Sequence, residues 1–310
     1  MTRYREIGAA LAQRILTGEL RPDDQLPGVR DLAREWATTA STVSRAQQAL
    51  AAAGLIELAD RRRARVATDA VLAARRFLHR DAVLRLAGSD DPALDLVVRG
   101  LNRIVPVAAN GSAAGLRAVA QGRADAAAVH LLHRNGQYNA PFARALLRGR
   151  QPHLIHLWRR EQGLLIPPDK TTPRSIPDLV GRRVARRQPG TGTRVLLDRL
   201  LIDAGQDPTT LRGPEFGSHL EVALAVATGI VDAGLGVRSA AAALDLRFVP
   251  IQWEDYDLVL PGEALDATAP LVVALRNTEV RAAVDALGGY DTARAGEVID
   301  LDAVATSTQM

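Results

Sequence analysis

The chain has 310 residues, of which 47% are hydrophobic and 24% charged, and a formal net charge of +4. These proportions are typical of a folded protein of about two domains and exclude wholesale disorder or a collagen-like repeat. No segment approaches the roughly 20 apolar residues of a membrane span, and residues 1–15 lack the apolar core of a signal peptide, so a cytoplasmic protein is expected. Cysteine is absent, which excludes disulfides, cysteine metal sites and a thiol nucleophile.

The charge is unevenly distributed along the chain. Residues 1–80 contain 14 arginines and nine acidic residues, a net charge of +5, whereas residues 81–310 contain 25 basic and 26 acidic residues, a net charge of −1. Such an asymmetry predicts a nucleic-acid-binding domain at the N-terminus of a nearly neutral body.

Three amphipathic segments open the chain. Apolar residues at three- and four-residue steps predict a helix over about 4–16, and a short helix over about 29–36 follows a turn. A third helix is predicted over about 42–53, with Ser41 as its N-cap. Two strand-like runs around a basic turn complete the layout of a winged helix-turn-helix domain over residues 1–67.

This layout predicts which side chains meet DNA. The third helix fits the major groove, and short polar side chains on its first turn can donate to phosphates or base edges; they are Ser41, Thr42 and Ser44. Arg45 can reach a phosphate or a guanine. The basic turn would lie along the DNA backbone or enter the minor groove; it contains Arg61, Arg62 and Arg63.

Several motifs in this region resemble the GntR family of bacterial regulators. They are Gly18-Glu19-Leu20, Leu26-Pro27, Val29-Arg30-Asp31-Leu32-Ala33, Thr42-Val43-Ser44-Arg45-Ala46, and Leu50 through Gly54-Leu55-Ile56. The resemblance covers about residues 3–67 and implies that Arg30, Thr42 and Arg45 contact DNA. The chain departs from the family at Gly28, where serine is usual, and at the arginine-rich hairpin tip, where glycine is common.

Residues 68–82 are predicted to form a linker helix, and from Val83 short buried strands alternate with helices in an α/β body over 83–310. Apolar runs at 154–158, 163–166, 248–251 and 256–260 are each predicted to be a strand.

Ligands in such sheets bind at loops after the carboxyl ends of strands, often against helix N-termini. The loops of this kind are Gly88-Ser89-Asp90, Asn110-Gly111-Ser112 and Gln188-Pro189-Gly190-Thr191-Gly192-Thr193-Arg194. The last is the richest, because it combines glycines, hydroxyls and an arginine at a helix N-terminus.

The body resembles the periplasmic-binding-protein-like sensor domains that are fused to helix-turn-helix regulators. The motifs are Gly111-Ser112 with Gly115-Leu116, Gly122-x-Ala124-Asp125 leading to His130-Leu131, Gly136-x-Tyr138-Asn139, Arg160-Glu161-Gln162-Gly163-Leu164, Arg187 through Asp198, Gly229-x-x-Asp232-x-Gly234-Leu235-Gly236, and Tyr256-Asp257-Leu258. The resemblance implies two α/β lobes that close on a small ligand, one over about 83–160 and 250–300, the other over about 180–247.

The same resemblance implies a set of ligand-binding residues: Ser89, Ser112, Thr191, Gly192, Thr193, Arg194, His219 and Tyr256. Because related domains belong to molybdate- and tungstate-binding proteins, such an oxyanion is the leading ligand hypothesis, and a small carboxylate or a cofactor fragment is the alternative. The residues leave simpler roles open. Ser89 and Ser112 could cap helices, Arg194 could lie on a helix surface, and Tyr256 could be structural.

No metal ion, cofactor or catalytic residue is expected. The pairs His130/His133 and His153/His156 lack a third ligand at a suitable spacing, and the single lysine, Lys170, lies in a proline-rich loop rather than at a Schiff-base position. The main hypothesis is a ligand-responsive transcription factor that binds operator DNA as a homodimer. The alternatives are an enzyme with an anion-binding α/β body and an autoregulatory DNA-binding head, or a constitutive DNA-binding protein whose body only builds the dimer.

Overall fold

The computed structural model describes residues 3–59, 62–78 and 83–302. The chain divides into two compact units, one of residues 1–82 with 266–270 and one of residues 83–265 with 271–310. Within the described ranges, no helix is both long enough and apolar enough to cross a membrane.

The N-terminal unit contains three helices followed by a short hairpin and a fourth helix. They are α1 (Arg3–Leu16), α2 (Val29–Glu35), α3 (Ala40–Ala52), β1 (Ile56–Glu57), β2 (Arg65–Val66) and α4 (Ala70–Leu78). The apolar stripes of the helices meet in one core, in which the largest fully buried side chains are Ile7, Leu11, Ile15, Leu26, Leu32, Leu50 and Leu55. Antiparallel pairing of β1 with β2 places Arg62 and Arg63 between the paired strands.

Two details of this unit differ from the prediction. Helix α3 begins at Ala40, because Thr39 rather than Ser41 is its N-cap and accepts a hydrogen bond from the backbone N–H of Thr42. Helix α4 begins at Ala70, two residues after the predicted start of the linker helix, and the predicted end at residues 79–82 lies outside the described residues.

The rest of the chain alternates strands with helices. Its elements are β3 (Leu84–Gly88), α5 (Pro92–Arg99), β4 (Ile104–Asn110), α6 (Ser112–Ala120), β5 (Ala126–Val129), α7 (Ala140–Leu146), β6 (His153–Ile166), β7 (Val184–Arg187), α8 (Gly192–Asp203), β8 (Glu215–Phe216), α9 (His219–Ala227), β9 (Ala233–Val237), α10 (Arg238–Ala242), β10 (Arg247–Leu260), α11 (Ala269–Arg276), α12 (Thr278–Asp285), β11 (Tyr290–Asp291) and β12 (Val298–Asp300).

These strands form one mixed sheet in the order β4-β3-β5-β10-β6-β9-β7-β8, and β11 and β12 also pair with β6. Strand β3 is parallel to β4 and β5, and β7 is parallel to β8 and β9. The antiparallel strands β6 and β10 lie between these two groups: β10 pairs with β5, and β6 pairs with β9. The body therefore consists of two α/β lobes, each with its own apolar core, joined by two crossing strands.

The crossing strands were predicted as four short strands, and this is corrected by the structure. Residues 153–166 and 247–260 each form one continuous strand of 14 residues. The apolar pattern breaks at Arg160 and Glu254, but the backbone pairing continues there, since the two residues face each other in register. Their buried charges neutralise one another. Hydrophobic periodicity does not reveal such a pair, because the two residues are far apart in the chain.

Candidate functional site

The crossing strands carry a buried ionic network between the lobes. The Nε of Arg160 lies 2.7 Å from Oε1 of Glu254, and Nη1 of Arg160 donates to Oδ2 of Asp91 over 2.7 Å. All three side chains are at most 2% exposed. Because a buried charge without a partner is strongly destabilising, these contacts hold the three side chains in one arrangement.

His130 connects this network to the loops of the first lobe. Its Nδ1 lies 3.0 Å from Oε2 of Glu254, and its Nε2 lies 3.0 Å from Oγ of Ser89. Burial lowers the pKa of His130, so the ring is neutral at neutral pH, and its Nδ1–H donates to the carboxylate while Nε2 accepts from Ser89. The backbone N–H of His130 donates to Oγ of Ser112, and the hydroxyl of Tyr256 donates to the carbonyl of Ser89. Three predicted ligand residues thus hold His130 and its loop in place.

Arg187, the last residue of β7, extends from the second lobe toward the first. Its Nη2 donates to Oδ1 of Asp90 over 2.6 Å and to the carbonyl of Gly217 over 2.7 Å. The other carboxylate oxygen of Asp90 accepts the backbone N–H of His219, the first residue of α9, over 3.0 Å. A helix N-terminus beside a guanidinium favours an anion, and here a carboxylate of the opposite lobe is bound there.

Of the ten side chains that keep a buried polar atom without a hydrogen-bond partner among the described residues, four belong to residues that contact Glu254 or Asp90. The unpaired atoms of these four are Nη2 of Arg160, Oε1 of Gln162, Nε and Nη1 of Arg187, and both ring nitrogens of His219. Asp90 brings three of these residues together, since its carbonyl accepts from Nη1 of Arg160 over 3.4 Å and its carboxylate accepts from Arg187 and from the backbone N–H of His219. Burial and then the charges of Arg187 and Arg160 hold the pKa of His219 well below its usual range. Since buried polar atoms in proteins are nearly always paired, we call these four residues the cleft cluster and take it as the candidate site.

The predicted glycine-rich loop contributes to this site through its backbone and one hydroxyl. Thr191 caps α8, and its Oγ1 donates to the carbonyl of Gln188. Thr193 is buried and accepts a hydrogen bond from Nε2 of Gln162, in the cleft cluster, over 3.2 Å. A side chain at Gly192 would place its Cβ 2.5 Å from the ring of His130, so glycine permits the close contact between the lobes.

Arg194 was predicted to bind the ligand, and the structure gives it other partners. Its Nε lies 3.0 Å from Oδ1 of Asp198, and its Nη1 lies 2.8 Å from Oε1 of Glu215. Both carboxylates belong to its own lobe. His219 and Thr193 are therefore the predicted residues that the structure brings to the cleft cluster, and Arg187 is the arginine that reaches it.

Sequence reasoning missed the most important charged residues of the site. Arg160 and Gln162 lie two positions apart and so share one face of β6, where polar residues interrupt an apolar strand. Arg187 ends a buried strand immediately before the glycine-rich loop. Polar residues within or at the end of an apolar strand were the available signal, but their partners, among them Asp90 and Glu254, are distant in the chain.

The candidate DNA-contact residues lie on the N-terminal unit. The first two turns of α3 expose Ser41 and Arg45 and partly bury Thr42 and Ser44, and the guanidinium of Arg45 lies 4.3 Å over the ring of Tyr4. The remaining predicted arginines that the structure describes are exposed and have no ion-pair partner within the described ranges; they are Arg30, Arg62 and Arg63. Arg61 lies outside the described residues.

Two family models match the chain. The PBP superfamily domain matches residues 99–276, and the gntR family of bacterial regulatory proteins matches residues 3–66. The uncharacterized protein YvgK of Bacillus subtilis (strain 168) is 33% identical over 199 residues, which cover 61% of this chain and 63% of YvgK. The match thus spans less than two thirds of that relative.

Among solved structures, similarity extends to OxyR, to a binding protein and to an effector-binding domain. OxyR of Corynebacterium glutamicum is 14% identical, with 92% of this chain and 93% of that chain covered and a TM-score of 0.48. The alkanesulfonate-binding protein SsuA of Xanthomonas axonopodis pv. citri is 18% identical, with 66% and 78% covered and a TM-score of 0.42. The effector-binding domain of QuiR, solved with shikimate, is 10% identical, with 63% and 96% covered and a TM-score of 0.46.

Proposed function

We propose that this chain, which belongs to the PBP superfamily and carries an N-terminal domain of the gntR family of bacterial regulatory proteins, is a ligand-responsive regulator of transcription. The N-terminal unit binds operator DNA, and the two-lobed body binds a small ligand between its lobes. As a DNA-binding protein of bacterial type it acts in the cytoplasm. A homodimer would match a two-fold symmetric operator, as is usual for helix-turn-helix proteins.

The observation that carries the ligand-binding role is the cleft cluster. The two guanidiniums present three donor nitrogens without partners among the described residues, and the N-terminus of α9 adds a positive local potential. Buried donors of this kind suit the oxygens of a small anion. The resemblance to molybdate- and tungstate-binding proteins makes an oxyanion one candidate, and a small carboxylate is the other.

Binding without turnover is the role we propose for the site. Glu254 accepts hydrogen bonds from Arg160, Gln162 and His130, so its carboxylate is committed to protein partners. His130 likewise uses both ring nitrogens within the protein. Glu254 and His130 therefore hold the surrounding strands and loops in place and do not transfer protons to a bound molecule.

The regulatory effect follows from linkage. A ligand that prefers one arrangement of the lobes shifts the operator affinity by at most its difference in affinity between the two arrangements. Couplings of this kind are typically about 5- to 150-fold in affinity.

A thermal-shift panel of oxyanions and small acids on the full-length protein tests the ligand-binding role. At least one of these compounds should raise the melting temperature of the wild type. Arg187→Lys replaces the planar guanidinium with an ammonium group and should lose most of this increase. Arg117→Lys on the exposed face of α6 is the matched control and should respond as the wild type does. The ligand that stabilises should then change the affinity for a DNA site selected from a random duplex pool. No stabilisation by any compound, or an operator affinity that no stabilising ligand changes, would contradict the proposal.

A further inference from the structure

The cleft cluster contains acceptors as well as donors, and Gln162 supplies one whose orientation is unambiguous. Its Nε2 lies 2.8 Å from Oε1 of Glu254. Burial raises the pKa of Glu254, but His130 and Arg160 lower it more, to about 2, so the carboxylate is ionised and can only accept. The amide nitrogen must therefore face Glu254, and the atom without a partner is the carbonyl oxygen of Gln162.

His219 supplies both a hydrogen-bond donor and an acceptor. Its ring is fully buried and neutral at neutral pH, so one ring nitrogen donates and the other accepts. Neither nitrogen has a partner within the described part of the chain. The cleft cluster thus offers at least three donors, from Arg160 and Arg187, together with acceptors on Gln162 and His219.

The charges of the site are already balanced by the protein. The guanidiniums of Arg160 and Arg187 are paired with the carboxylates of Asp91, Glu254 and Asp90. Burial raises the pKa of Asp91, but even with Asp91 protonated the two remaining carboxylates match the two guanidiniums one for one. A doubly charged anion would therefore enter a buried site that holds no surplus positive charge, which is costly.

Resting on the proposed function, we infer that the ligand of this site is a small molecule with at most one negative charge that both accepts and donates hydrogen bonds. Its oxygens accept from Arg160 and Arg187, and a hydroxyl or acid proton of its own donates to Oε1 of Gln162. Small hydroxy acids and protonated oxyanions that carry a single negative charge belong to this class. Fully ionised oxyanions without a proton, such as sulfate, molybdate and tungstate, do not.

Two ligand pairs of matched shape test this inference by calorimetry on the full-length protein. Phosphate below its second pKa carries protons and one charge, whereas sulfate carries no proton and two charges; glycolate has a hydroxyl that acetate lacks. The wild type should bind phosphate at least about tenfold more tightly than sulfate, and glycolate about tenfold more tightly than acetate, since a buried acceptor left unpaired costs about that factor. Phosphate affinity should also fall as the pH rises through the second pKa of phosphate.

Gln162→Met keeps the length of the side chain and removes its acceptor, so the preference for glycolate over acetate should fall toward equality. Gln121→Met, at the exposed residue that follows α6, is the control and should keep the full preference. Sulfate, molybdate or tungstate binding as tightly as phosphate would overturn the inference and leave the proposed function standing. A preference that survives in a folded Gln162→Met would overturn the role of Gln162, and wild-type phosphate affinity independent of pH would overturn the proton requirement without any variant. Failure of every compound to bind would remove the proposed function as well.

Discussion

The Nη2 of Arg187 lies 2.6 Å from Oδ1 of Asp90, and this ion pair joins the two lobes of the body. The guanidinium is 1% exposed and the carboxylate 34% exposed. Asp90 also accepts the backbone N–H of His219, so a carboxylate of one lobe is bound at a helix N-terminus of the other. Since Nε and Nη1 of Arg187 remain without partners among the described residues, the same guanidinium can hold the lobes together and bind a ligand.

Asp90→Asn should weaken the contact between the lobes. Arg187 would keep its buried charge but lose its counter-ion, and the free energy of unfolding should fall by about 1–2 kcal/mol, less than for a fully buried pair because Asp90 is partly exposed. Urea unfolding followed by circular dichroism measures this. Asp232→Asn removes the exposed pair with Arg183 and should cost less than about 1 kcal/mol. Equal losses in the two variants would contradict the structural role of Asp90.

Gly192→Ala should impair closure of the lobes without unfolding either of them. The added Cβ would lie 2.5 Å from the ring of His130, so the lobes must separate to accommodate it. We expect ligand affinity to fall at least about tenfold and the radius of gyration in small-angle scattering to increase. Gly100→Ala meets no atom closer than 3.7 Å and should leave both quantities unchanged. A Gly192→Ala protein with wild-type affinity would show that this contact is dispensable.

The acid stability of the protein should depend on Glu254. Its pKa is about 2 in the folded protein against an ordinary value of 4.5, since burial raises it but His130 and Arg160 lower it more. A carboxylate with a lowered pKa stabilises the folded state above pH 4.5, and this contribution is lost as the pH falls toward about 2. The difference in unfolding free energy between wild type and Glu254→Gln should therefore shrink over that interval.

Urea titrations at several pH values measure this difference. Glu279→Gln, at an exposed position of α12, serves as the control, and its difference from wild type should stay small and constant. A difference for Glu254→Gln that is constant with pH would be inconsistent with an ionised Glu254 in the folded protein.

DNA binding should depend on two groups of residues in different ways. Thr42→Ala combined with Arg45→Ala should lower affinity for a selected operator by at least about tenfold and relax its sequence preference, because both lie on the first two turns of α3. Arg62→Ala and Arg63→Ala should weaken binding to all sequences. Each should also reduce the slope of log affinity against log salt concentration by about one. Fluorescence anisotropy at several salt concentrations distinguishes the two effects. Arg99→Ala, an exposed charge outside the N-terminal unit, should change neither.

Much of the local structure could be predicted because local interactions determine it. The apolar stripe of α1 and the glycine that follows α3 are patterns within a few residues, and the predicted helices of the N-terminal unit lie within a few residues of the observed ones. The GntR and PBP-like assignments, made from short motifs, are confirmed by the two family models. The predicted ligand and DNA contacts themselves remain predictions.

The sequence by itself determined a basic N-terminal domain with helix-turn-helix motifs and an α/β body with candidate ligand-binding loops. Charge distribution, hydrophobic periodicity and short motifs could show this because each is read from residues that are neighbours in the chain. Only the tertiary structure decided which arginines serve the cleft. Arg194 is paired with carboxylates of its own lobe, whereas Arg187 and Arg160 reach partners about 70 to 100 positions away in the chain. Whether a buried charge is neutralised or left with donors for a ligand depends on such distant partners, and no local pattern encodes them.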